Sequence, residues 1–72
     1  MSDFQSRIAL AEKHVAKGRE LVERQRQQIR RIGAQGRQSA EAEHLLTLFE
    51  QTLAIFEDDL AALFLRSQGQ EP

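Results

Sequence analysis

Arg31-Ile-Gly-Ala-Gln-Gly-Arg-Gln-Ser-Ala-Glu41 is the stretch that decides the fold. Gly36 suits the left-handed C′ position that closes a helix, and Arg30 and Arg31 put cations in the last turns, where the helix dipole favours them. Three residues on, Ser39 suits an N-cap, with Glu41 and Glu43 in or near the first turn. A stop followed closely by a start predicts two helices joined by a short turn. The single proline is Pro72, so nothing but these glycines breaks the helical pattern on either side.

Upstream, Ser2-Asp-Phe-Gln5 fits a capping box, with Asp3 in the first turn. Apolar or small positions then fall at Phe4, Ile8, Ala11, Val15, Gly18, Val22, Gln25, Ile29 and Ile32, spaced alternately by four and three. This is a heptad seam of about four heptads with β-branched residues at Ile8, Val15, Val22 and Ile29. Gly18 and Gln25 are its two weak positions.

Downstream, Ala42, Leu46, Phe49, Leu53, Phe56, Leu60 and Leu63 repeat the spacing. Helix 2 also carries a second stripe, Leu45, Leu48, Thr52, Ile55 and Ala62, interrupted by Asp59. The expected bounds are about 3–34 for helix 1, 35–38 for the turn and 39–66 for helix 2, with a polar, frayed tail at 67–72. Helices of similar length joined this way form an antiparallel, coiled-coil-like hairpin. Residues whose numbers add to about 72 then lie level, so that Gly18 faces Leu53 and Phe56, Gln25 comes near Leu46 and Phe49, and Ile8 near Leu63 and Phe64.

With 72 residues the chain is a single all-α domain at most, of a size that usually needs disulfides, metal or oligomerisation to be stable. It has no cysteine and only two histidines, which leaves oligomerisation. The surplus apolar residues are Leu10 and Leu21 on helix 1 and Leu45, Leu48 and Ile55 on helix 2. Burying five such side chains contributes on the order of 10 kcal/mol, the same size as the about 4–15 kcal/mol cost of association. These five form the expected interface, and two hairpins closing into a four-helix bundle about a two-fold axis is the simplest arrangement. The expected partner is therefore a second copy, with another helical protein as the alternative.

Charge is divided between the halves. Residues 1–37 hold nine Lys/Arg and four Asp/Glu, net +5; residues 38–72 hold one Arg and seven Asp/Glu, net −6. The plainer reading is that the helices attract one another and that parallel self-pairing of either helix is discouraged. The sharper one is that Arg24, Arg26, Arg30, Arg31 and Arg37 contact nucleic-acid phosphates. The overall charge of −1 and the lack of aromatic residues among these arginines count against it.

Glu41-Ala-Glu-His44 has the spacing of helical di-metal motifs, but it lacks a second motif and two more inward glutamates, so no metal or cofactor is expected. There is no Cys, Tyr or Gly-rich phosphate loop, and no serine sits in a His/acid arrangement. A two-helix hairpin also offers no concave pocket, so no enzymatic activity is expected. Met1 to Arg7 is polar apart from Phe4, unlike a signal peptide. The longest apolar run, Leu60 to Leu65, falls far short of the roughly 20 residues that span a bilayer. These features predict a cytoplasmic protein with no membrane association.

His14-Val-x-x-Gly-x-x-x-Val22, Arg24-Gln-Arg-x-x-Ile-x-x-Ile32, Gly36 and Ala42-Glu-x-Leu-Leu-x-x-Phe-Glu-x-Thr-Leu53 together resemble a group of small uncharacterised helical-hairpin proteins of alphaproteobacteria, of rhizobial type. The resemblance covers roughly residues 12–60 and implies a bacterial cytoplasmic protein; it brings no activity and no functional residue. In that group an Asp-Thr or Asp-Ser pair often follows the turn, where this chain has Gln38-Ser39, a weaker start to the cap. The sequence therefore predicts a non-enzymatic, self-associating interaction module, a small regulator or adaptor. A nucleic-acid-binding bundle is the alternative.

Overall fold

A computed structural model describes residues 3–69, and these form two α-helices that pack along their lengths. Helix α1 spans Asp3–Ala34 and α2 spans Ala40–Gln68. The hairpin is a rod of 60 × 16 × 12 Å. Its radius of gyration of 16.7 Å compares with about 11 Å for a compact domain of this length. Among the described residues the hairpin is two helices thick, with no third element over its outer faces.

Sequence chemistry and geometry agree at the turn. Gly36 has φ 74°, the left-handed region that glycine enters without a Cβ penalty. The Arg37 amide donates to the Ile32 carbonyl at 3.2 Å and the Gly36 amide to the Gly33 carbonyl at 2.9 Å, the paired bonds of a Schellman stop. Ser39 is the N-cap of α2 in extended conformation, and its Oγ accepts from the Ala42 amide at 3.1 Å. The proposed N-terminal cap at Ser2 lies outside the described residues.

Helix α2 differs from expectation at its far end. It continues through Ser67 and Gln68, the start of the expected frayed tail; residues 70–72 of that tail lie outside the described residues. The Ser67 hydroxyl donates to the Phe64 carbonyl at 2.8 Å, and the Gly69 amide donates to the Leu65 carbonyl at 2.9 Å. A serine that bonds back into its own helix is compatible with one more turn.

The seam packs where the heptads place it. Ala11, Val15, Gly18 and Val22 are buried, and the remaining seam residues of both helices are half-buried. At Gly18 the helices come close: a Cβ there would lie 3.1 Å from Leu53 Cδ1 and 3.6 Å from Leu53 Cα. Gly18 is thus a seam position rather than a break, since its missing side chain lets the helices come together over Leu53. The weak position Gln25 is put to use: its Nε2 donates to the Ala42 carbonyl at 2.8 Å in a partly buried setting. Observed cross-helix partners have numbers that add to between 67 and 76, bracketing the expected level of about 72.

Candidate interaction surface

The seam divides the hairpin into two flanks. On one lie the residues that follow seam positions: Arg19, Glu23, Arg26 and Arg30 on α1, and Glu50, Glu57 and Phe64 on α2. On the other lie those that precede them: Leu10, His14, Lys17, Leu21, Arg24 and Gln28 on α1, and Leu45, Leu48, Thr52, Ile55, Asp59 and Ala62 on α2. A shift of one residue turns a side chain by about 100° around a helix, so each set occupies its own side.

The first flank is ion-paired. Arg26 Nη2 meets Glu50 Oε2 at 3.1 Å and Arg19 Nη2 meets Glu57 Oε2 at 3.4 Å, both across the helices. Arg30 pairs at 3.3 Å with Glu23 of its own helix. All are solvent-exposed, which limits each to about 0–1 kcal/mol. Such pairs add little to what the seam and the turn already hold together.

The second flank is apolar and open. Leu10 is 55% exposed, Leu45 40%, Leu48 43% and Ile55 59%. Leu21, the fifth residue expected at an interface, is half-buried instead. It shares a shallow groove with Arg24, Gln28, Leu45 and Phe49, so the hairpin partly covers it. Nearer the free ends a groove of about 350 Å³ is lined by Leu10, His14, Phe56, Asp59, Ala62 and Arg66. There the His14 ring lies 5.1 Å from the Phe56 ring, tilted by 31°. His14 thus packs on an aromatic face. Among the described residues, no three His, Cys, Asp or Glu side chains group to hold a metal ion.

Two apolar residues outside the expected interface are also exposed, Phe64 at 42% and Leu65 at 69%. Phe64 sits on the ion-paired flank with Val15, Arg19, Glu57 and Leu60. The continuous run Leu60 to Leu65 was the signal, because six successive helical residues must point in every direction.

The five arginines considered for phosphate contact do not converge. Arg24 and Arg31 fall on the apolar flank, while Arg26 and Arg30 fall on the other. Arg26 and Arg30 are ion-paired and Arg31 donates to Gln28 Oε1 at 3.5 Å. Arg37 sits beside the turn with Ser39 and Glu43.

No protein-family model, curated protein or solved structure matches this chain. Among the described residues, no helix is long and apolar enough to cross a membrane.

Proposed function

We propose that this chain is a non-enzymatic helical interaction module that self-associates through its apolar flank, two hairpins closing into a four-helix bundle. One observation carries the reading: no residue of α2 is buried, although Leu45, Leu48, Ile55 and six large seam residues lie along it. A helix this apolar, covered on one side only, gains most from a second layer.

The exposed area is of the right size. The chain of 8.2 kDa exposes 5652 Å², roughly 1,100 Å² more than the about 4,500 Å² of a compact monomer of that mass. A standard interface takes about 800 Å² from each partner. Because Leu45 and Leu48 are already more than half covered, the five flank residues supply less than their full transfer energy. The half-buried faces of Phe49, Phe56 and Leu63 make up the difference. The role that fits is a small regulator or adaptor acting through this surface, and the resemblance to bacterial hairpin proteins would place it in the bacterial cytoplasm. The competing occupant is a helix of another protein with the same apolar period. Nucleic-acid binding is the less supported reading, because the arginines it needs are divided between the flanks and three already have partners.

Sedimentation equilibrium across a dilution series tests the proposal. The expected result is a species of twice the 8.2 kDa chain mass that dissociates on dilution. A strict monomer at tens of micromolar overturns it.

A further inference from the structure

Resting on the self-association proposed above, we infer that the two hairpins join with their turns at the same end, each α1 lying against the partner's α2. Two face-to-face arrangements satisfy a two-fold axis. With the axis across the rods, α1 stacks on the partner's α1 and α2 on the partner's α2, and the turns point in opposite directions. With the axis along the rods, α1 stacks on the partner's α2 and the turns meet at one end. Both make every neighbouring helix pair antiparallel, so loop geometry does not choose between them.

Charge does. Helix α1 carries eight Lys/Arg against four Asp/Glu, and α2 carries one Arg against six Asp/Glu. The crosswise arrangement puts a basic helix on a basic one and an acidic helix on an acidic one. The lengthwise arrangement surrounds each α1 with two acidic helices. Touching helices lie about 8–10 Å apart, and like helices then sit on the diagonal at about 11–14 Å, beyond the about 8 Å screening length at physiological salt.

The flank residues support the same choice. An axis along the rods keeps every level, so the pairing rule within a hairpin also holds between hairpins. Leu10 then meets the partner's Ala62, Lys17 lays its stem along the partner's Ile55, and His14 comes level with the partner's Asp59. Near the turn, Arg31 reaches the level of the partner's Glu41. Asp59 and Glu41 form no ion pair within the hairpin among the described residues, and both precede seam positions on the open flank.

A nitroxide label tests this directly, because the chain has no cysteine and Gln35 is an exposed turn residue. Gln35→Cys, labelled and measured by double electron–electron resonance, is run beside sedimentation of the same sample. The expected result is a dimer with a label separation below about 30 Å, the width of a four-helix bundle plus the label arms. A dimer with a separation near the about 48 Å length of α1 overturns the topology and leaves self-association standing. A monomeric sample overturns both. Should the turn substitution disturb folding, Asp3→Cys at the free end gives the same two outcomes.

Discussion

The two flanks of this hairpin are offset by one residue to either side of the same seam, yet one is closed by charge and the other left open. On the closed flank, Arg19 and Arg26 reach across to Glu57 and Glu50. On the open flank the same heptad offset delivers Leu10, Leu45, Leu48 and Ile55 to water. The difference teaches that a helical pair can have a complete register and still be an incomplete fold. Weak, exposed ion pairs line one side, while apolar side chains stand in water on the other.

Breaking the line that both flanks share should have the largest effect. Phe49→Asp places a carboxylate in the seam, where charge without a partner is costly, and helicity by circular dichroism should collapse. Full retained helicity would show the seam to be misassigned. Next comes the open flank alone: Leu48→Asp with Ile55→Asp should raise the dimer dissociation constant by at least two orders of magnitude by sedimentation, at about 1.4 kcal/mol per tenfold. An unchanged dimer would move the interface elsewhere.

The turn joining the helices should respond more modestly and with opposite signs at its two glycines. Gly36→Ala forces a Cβ into the left-handed region and should cost about 1–2 kcal/mol in denaturant unfolding. Gly33→Ala meets nothing within 4 Å and should gain about 0.5–1 kcal/mol from helix propensity. The closed flank should matter least. Arg26→Ala removes an exposed pair and should cost under about 1 kcal/mol, with the loss shrinking as salt rises. A loss above about 2 kcal/mol would mean that this pair stabilises the hairpin far more than an exposed pair does.

Much of the fold was legible in the sequence because its signals are local. Ser39 caps α2, Gly36 closes α1, and α1 ends where the glycines place its end, since capping and left-handed closure depend on a few neighbouring residues. The far end of α2 was not legible, because Ser67 reads as a polar tail residue until its hydroxyl is seen bonding back to Phe64. The open flank was legible in part. Periodicity marked Leu10 and Leu21 alike, but only packing separates them: Leu21 is half-covered beside Leu45 and Phe49, whereas Leu10 stays open.

The sequence by itself determined two helices, the turn between them, the seam, and a segregation of charge that favours unlike neighbours. Tertiary structure decided how burial is shared. Ala11, Val15, Gly18 and Val22 disappear beneath the larger side chains of α2, while no residue of α2 disappears beneath α1. A large side chain reaching over a small one covers it completely and keeps its own outer edge in water. That asymmetry depends on how closely the backbones approach at Gly18 and Leu53, a distance that no heptad pattern records.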